Sequence, residues 1–212
     1  MGSVDVGGGA RSYGGKTADE RAADRRARLL EATISLLASA GEARTTMTGI
    51  CQKAGLTERY FYESFGSPDQ ALVAAMDAVS ETVAQTALDA IAASSGEPEA
   101  RVRAAIDAVV DLVVAAPETM QVAVIESNAN PAMRARRHEL LDQFATLVAT
   151  EARHLFGEDT WPEPRDHRQA VIFMGGLSEL VASWLLGRAE IAPDELATVA
   201  SDSLVALMRH GR

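Results

Sequence analysis

The sequence predicts an all-α protein, with a small head of three helices at the N-terminus and a larger helical body after it, about nine helices in all. Three observations carry that expectation. Alanine is abundant while Gly and Pro are sparse beyond the first fifteen residues, a composition that favours helix. Apolar residues recur at spacings of three and four through long segments. Alternating β-branched runs are few, and no internal repeat is present.

Residues 1–18 are Gly-rich and polar up to Lys16 and read as a flexible tail. Helix 1 is expected from Asp19 to Ala40, with Leu29, Ala32, Thr33, Leu36 and Leu37 on one face and Gly41 ending it. A short second helix, Met47 to Ala54, is capped by Thr46 and turns its Met47, Ile50, Cys51 and Ala54 inwards. Gly55 makes a tight turn, and helix 3 runs from Thr57 to Ser64, with Phe61 and Phe65 four residues apart reaching the same core. Ser67-Pro68-Asp69-Gln70 then opens a long helix to about Ala93: Ser67 caps, Pro68 suits the first turn, and Gln70 completes a capping box. Further helices are expected over Glu99 to Ala115, Pro117 to Ser127, Pro131 to Phe156, Arg165 to Arg188 and Pro193 to Arg209, each bounded by Pro, Gly or Asn. The apolar stretch Val171 to Leu186 is interrupted by Gly175, Gly176, Ser178 and Glu179 and reads as buried helix rather than a membrane span. The division that follows is a tail over 1–18, a head over 19–80 and a helical body over 81–212.

Net charge is −10, which by itself argues against a nucleic-acid partner. The distribution reverses that argument. Residues 1–66 carry a net +1 and residues 67–212 a net −11, so any phosphate-binding surface belongs to the head. The one cysteine, Cys51, excludes an intramolecular disulfide and suits a reducing cytoplasm. The N-terminus lacks the apolar stretch of a secretory signal.

The chemistry gathers on helix 3. Two short helices joined by a Gly turn, with small Cys51 and Ala54 at their crossing, have helix-turn-helix logic, and the second of them can lie in the major groove. Two of the chain's three tyrosines, Tyr60 and Tyr62, stand there beside Arg59. A solvated face would favour Lys and Glu. A phenol can bond a phosphate while its ring meets a thymine methyl, and Arg59 can be bidentate to guanine or pair with phosphate. Tyr62 read alone also fits a core aromatic.

On these residues the segment Asp24 to Met76 resembles the DNA-binding head of the TetR family of bacterial transcriptional regulators. The likeness is carried by Leu29-Leu30-Glu31-Ala32, Thr46-Met47, Ile50-Cys51, Ala54-Gly55-Leu56-Thr57, Phe61-Tyr62, Phe65 and Ala71-Leu72. The resemblance implies that Thr46 and Thr48 contact phosphate or a base edge from helix 2, and Thr57, Arg59, Tyr60, Tyr62 and Ser64 from helix 3. There are two departures. Pro68 stands where the family often has a phosphate-clamping Lys, and Glu63-Ser64 replaces the usual His or aromatic before Phe65. Both remove phosphate contacts, so that affinity either leans on Arg25, Arg26, Arg28 and Arg59 or is simply weaker. Arg11 and Lys16 could let the tail touch DNA but read better as part of a solvated tail, and Lys53 sits closer to a solvated face.

The resemblance further implies that the body is a regulatory and dimerisation domain: it binds a small-molecule effector in its core and dimerises through its last two helices. One stripe of Val171, Met174, Gly175, Leu177, Ser178, Val181, Trp184 and Leu185, and another of Leu196, Val199, Ala200, Ser203, Leu204, Leu207 and Met208, would give a four-helix homodimer interface, unless a stripe packs only within its own chain. Effector-contact candidates are Met120, Gln121, His138, Phe144 and Phe173, with Arg134, Glu126 and Trp161 behind them, each of which also fits an ordinary core or surface position. Arg134, Arg136 and Arg137 read as a solvated helix start that could meet an anion. The implied function is a repressor released from a palindromic double-stranded DNA operator by its effector. The alternative is a helical adaptor whose head binds protein. Catalysis is not expected: His138, His154, His167 and His210 are scattered without metal-site spacing, and no nucleophile elbow, phosphate loop or dinucleotide fingerprint is present, so neither a metal nor a cofactor is expected.

Overall fold

A computed structural model describes residues 17–125 and 131–210. Among these, nine α-helices follow one another: α1 (Ala18–Ala40), α2 (Met47–Ala54), α3 (Glu58–Ser64), α4 (Pro68–Ala93), α5 (Pro98–Ala115), α6 (Pro117–Val124), α7 (Pro131–Phe156), α8 (Arg165–Leu185) and α9 (Pro193–Met208). The only extended pairing among the described residues is an isolated bridge between Thr160 and Arg209.

Local chemistry sets most boundaries. Residues 1–16, with Arg11 and Lys16, lie outside the described residues. Thr17 and Ala18, expected in the tail, instead start α1: Glu20 N donates to Thr17 Oγ1 at 3.1 Å and Thr17 N donates to Glu20 Oε2 at 2.6 Å, a reciprocal capping box. Thr46 caps α2 by accepting from Gly49 N, and Gly55 ends it in the left-handed region at φ 62°. At α4 the expected reciprocal box is displaced. Ser67 Oγ accepts from Gln70 N, but the Gln70 side chain accepts from Gly66 N rather than from the capping residue itself. α8 stops three residues short of the expected Arg188, because Gly187 takes φ 66° and Arg188 N reaches back to Ser183 O. α6 ends at Val124; Glu126 and Ser127 lie outside the described residues.

Four apolar clusters form the core. The head cluster joins Leu29 and Ala32 of α1, Ile50, Cys51 and Ala54 of α2, Phe61 of α3, Phe65 at its end, and Ala71 of α4. Phe61 is fully buried and meets Phe65 at a ring separation of 5.7 Å; burying such a ring contributes about 1.5–3 kcal/mol. A second cluster joins Leu37 of α1, Leu72, Met76 and Val79 of α4, Val113 of α5, Met120 and Val122 of α6 and Met133 of α7. Two more hold α5, α7, α8 and α9 together. α4 thus contributes to the head core at Ala71 and to the body core at Met76 and Val79, and residue 80, where the sequence divides head from body, falls inside this continuous helix.

The expectation of a buried helix over Val171 to Leu186 is corrected. Phe173 and Ala170 are buried, but Val171, Ile172 and Leu186 are exposed, Ile172 by 60%. A Cβ built on Gly175 or Gly176 would meet nothing within 4 Å. One face of α8 packs on the body, and the other is covered by none of the described residues. No helix of the described residues is long and apolar enough to cross a membrane.

Candidate nucleic-acid interface and effector cavity

α3 lies on the outside of the head. Its inner face is anchored by Phe61, and its outer face carries Arg59, with 84% of its side chain exposed, and Tyr62, 55% exposed. Tyr62 is therefore not a core aromatic; its ring stands edge-on to Phe61 at 5.6 Å and leaves the phenol outward. Arg59 Nε donates to Glu63 Oε1 at 2.9 Å, one turn along, and this bond with Glu63 raises the guanidinium's affinity for its proton. Tyr60 is half-buried under the guanidinium of Arg25, 4.5 Å from its ring centre. Thr46, Thr48 and Thr57 are exposed beside this face. Thr57 occupies the capping position of α3 without making the capping bond.

The structure gives several of the expected contact residues a task within the head. Arg28 Nη2 donates to Ala54 O at 2.5 Å, which satisfies the carbonyl end of α2 across 26 residues of sequence. Arg26 Nη1 donates to Ser64 O at 2.6 Å and its guanidinium lies over Phe65. Ser64 spends its own hydroxyl proton on Tyr60 O, 2.9 Å away. Arg28 thus joins α1 to the end of α2, Arg26 joins α1 to the Ser64 carbonyl of α3, the Ser64 hydroxyl bonds within α3, and Arg25 packs on the Tyr60 ring. Burial pushes the Cys51 thiol up, with Glu58 adding to the shift. Lys53 is exposed, as its solvated position predicts.

The body encloses a cavity of about 220 Å³ between α4, α5, α6, α7 and α8. Its wall is almost wholly aliphatic: Val83, Ala84, Ala87, Leu88 and Ile91 from α4, Ala105, Ile106 and Val109 from α5, Leu141, Val148 and Leu155 from α7. Of the expected effector contacts, Met120, Phe144 and Phe173 line it. Gln121 and His138 do not. His138 is exposed on α7, and its Nδ1 lies 2.7 Å from Arg134 O. Arg134 is also exposed, and Trp161 packs under Arg165, at 3.3 Å, away from the cavity. Arg137, read from the sequence as part of a solvated helix start, instead belongs to the wall, together with Ser80, Ser178 and a charged residue that the sequence reading passed over, Glu151. The signal was available in the spacing of α7, where Arg137, Leu141, Phe144, Val148 and Glu151 recur on one helical face.

The expected interface residues divide by direction. Met174, Leu177, Val181 and Leu204 turn into the cavity wall, Trp184 and Leu185 pack on the second core cluster, and Leu207 is half-buried. Val199 faces outward. The outer surface of α8 and α9 is instead made by Val171, Ile172, Gly175, Gly176, Leu186, Val199, Ser203 and Ala206. Among the described residues no cluster of His, Cys, Asp and Glu could hold a metal ion.

The sequence matches no family model and no curated protein. The fold does match solved structures. The fatty acid degradation regulator FadR from Bacillus halodurans superposes with a TM-score of 0.70 over 88% of this chain and 97% of its own, at 15% identity. A TetR family transcription regulator from Marinobacter aquaeolei VT8 gives 0.63 over 91% and 100%, at 21% identity. FadR from Bacillus subtilis, in complex with stearoyl-CoA, gives 0.64 over 86% and 97%, at 18% identity. The matches cover 86–91% of this chain, and the chain has the fold of the TetR-family transcriptional regulators.

Proposed function

We propose that the protein is a transcriptional regulator of the TetR type, which binds a palindromic double-stranded DNA operator as a homodimer in the cytoplasm and leaves it when an effector occupies the body. The observation that carries this reading is the outer face of α3, where Arg59 and Tyr62 stand exposed on a helix locked from behind by Phe61. A helix so placed can enter the major groove, which accepts one α-helix, with Thr46, Thr48 and Thr57 within reach of the flanking phosphates. Arg59 and Tyr62 read, Tyr60 is held in line by Arg25, and Arg28 acts indirectly by holding α2. The acidic body contributes no general attraction to DNA, so affinity depends on two heads meeting successive half-sites about 34 Å apart. Within this reading the chain divides into a tail over 1–18, a head over 19–80 and an effector-binding, dimerising body over 81–212.

The homodimer is supported by the uncovered face of α8 and α9. Four of the six exposed large hydrophobic residues among those described, Val171, Ile172, Leu186 and Val199, lie there. Gly175 and Gly176 leave room for a second backbone to approach. Two such helices from each copy make a four-helix interface.

Release follows from α4 and α6. α4 is wall to the cavity from Ser80 to Ile91 and part of the head core at Ala71. Met120 of α6 touches both the cavity and the cluster that holds Leu37 of α1. An effector that fits better when these helices move apart changes the spacing of the two heads and lowers DNA affinity by its differential affinity for the two states, typically about 5–150-fold. That a structural neighbour carries stearoyl-CoA supports an effector in the body. The test is to sequence the genomic fragments retained by the purified protein. A site with dyad symmetry, bound with a steep salt dependence, is expected; retention of no fragment at low salt overturns the reading.

A further inference from the structure

Among the described residues the cavity lining holds a single cation, and its surroundings specify a ligand class. Arg137, near the start of α7, donates from Nη2 to Ser178 Oγ at 3.1 Å, while its Nε is buried with no hydrogen-bond partner. Among the described residues Ser178 is its only bonded partner, and no carboxylate pairs with it. The adjacent Arg136 is the contrast: it is paired with Asp77 and Glu139. A guanidinium drawn into an apolar cavity without a counter-charge leaves its desolvation unrepaid, and a planar anion with two acceptor oxygens is the partner its geometry matches.

The shape of the cavity supplies the rest. Its α7 wall continues from Arg137 to Phe156, nineteen residues on, which is roughly 28 Å of helix at about 1.5 Å per residue. The walls alongside are aliphatic, and the only other charge among the described lining residues, Glu151, stands far along α7 from Arg137. An anion is therefore favoured at the Arg137 end and repelled at the other.

We propose that the ligand is a linear long-chain acyl compound whose carboxyl-end oxygens accept hydrogen bonds from Arg137 and Ser178, with its chain lying along α7 toward Phe156. The inference rests on the reading of this cavity as the effector site. A free fatty acid and an acyl thioester present the same chain, but the first offers Arg137 the two anionic oxygens of a carboxylate and the second a single neutral carbonyl oxygen. The unpaired guanidinium favours the first, and the two are separated by experiment.

The full chain is titrated calorimetrically, without DNA, with palmitate, palmitoyl-CoA, decanoate and the neutral hexadecanol. Palmitate or palmitoyl-CoA is expected to bind, and whichever binds more tightly names the source of the acyl group. Chain length tightens binding about fourfold for each further methylene the cavity buries. Arg137→Met removes a buried charge and is expected to fold, as the melting curve will report. It weakens the acyl ligand at least tenfold and leaves hexadecanol unchanged; Arg137→Lys recovers part of the loss, and Ser178→Ala weakens binding less than Arg137→Met. The proposal is overturned if neither acyl compound binds, or if Arg137→Met binds both as tightly as the unaltered protein. Acyl binding without retention of any DNA leaves this inference standing and removes the regulator reading; DNA retention without acyl binding does the reverse.

Discussion

Arg59 and Glu63 face each other one turn apart on the outer surface of α3, joined by a hydrogen bond of 2.9 Å from Arg59 Nε to Glu63 Oε1. The pair places a carboxylate on the surface proposed to meet phosphate, and it occupies the guanidinium proposed to meet a base. Exposed i,i+4 pairs are weak and open readily. Glu63→Gln is expected to tighten operator binding several-fold, most clearly at low salt. Arg59→Ala weakens it at least about tenfold and relaxes the preference at one base position. Titrations of labelled operator across salt concentrations measure both. Unchanged affinity in both variants would remove α3 from the interface.

Gly55 is held at φ 62°, and a Cβ added to it would lie 3.3 Å from Arg28 Nη2, the group that bonds Ala54 O. Gly55→Ala therefore meets backbone strain and a crowded guanidinium together. It should lower unfolding stability by about 1–2 kcal/mol in urea titrations. Arg28→Ala should also destabilise the head, by about 1 kcal/mol for the lost hydrogen bond. A loss of DNA affinity in Arg28→Ala with full stability retained would restore Arg28 as a direct contact.

Asp166 is fully buried at the start of α8, where it accepts from His167 N at 2.7 Å and from Arg153 Nη1 of α7. Asp166→Ala leaves a half-buried Arg153 with only Glu163 as a carboxylate partner, at 2.9 Å. Removing one member of such a pair costs about 3–5 kcal/mol when both are buried; with Arg153 part-exposed, about 2–3 kcal/mol is expected. The midpoint of denaturant unfolding reads it, and a shift below about 0.5 kcal/mol would show that the pair is dispensable.

Ile172 is the most exposed aliphatic side chain of the uncovered α8 face. Ile172→Glu puts a charge into the proposed contact between copies and should turn a dimer into a monomer by light scattering, with operator binding lost alongside. A protein that stays dimeric with Ile172→Glu would place the interface elsewhere.

Cys51 is buried in the head core, and burial raises its thiol pKa. The nucleophilic thiolate is thus scarcer at neutral pH than in a free cysteine. Labelling by a thiol reagent should be slow in the folded protein, rise with pH, and become complete only on unfolding. Fast labelling at neutral pH would mean that the head opens on its own.

The head was legible because its signals are local. Thr46, Gly55, Ser67 and Pro68 mark ends within a few residues of the elements they bound, and Phe61 and Phe65 share a face by spacing alone. The roles of the arginines were not legible. Arg28 meets Ala54 and Arg26 meets Ser64 only after α1 has folded across α2 and α3, so a basic cluster read as phosphate ligands also makes bonds within the head. In the body, the stripes of α8 and α9 were visible but their direction was not. Periodicity shows that Met174, Val181 and Ile172 belong to faces, and only packing decides that the first two line a cavity while the third meets solvent. Arg136 and Arg137 illustrate the same limit: about 100° of rotation between adjacent residues sends one to Asp77 and the other into the cavity.

The alanines of the cavity wall, Ala84, Ala87, Ala105, Ala123 and Ala152, have a consequence for how such a protein can diversify. Each is a place where one substitution adds bulk to the lining without touching α2 or α3. Recognition of a ligand can therefore drift, or be re-engineered, along a coordinate independent of the DNA sequence read. In the proposed regulator, a sensor for a shorter compound is within a few substitutions of this chain, with its operator left as it is.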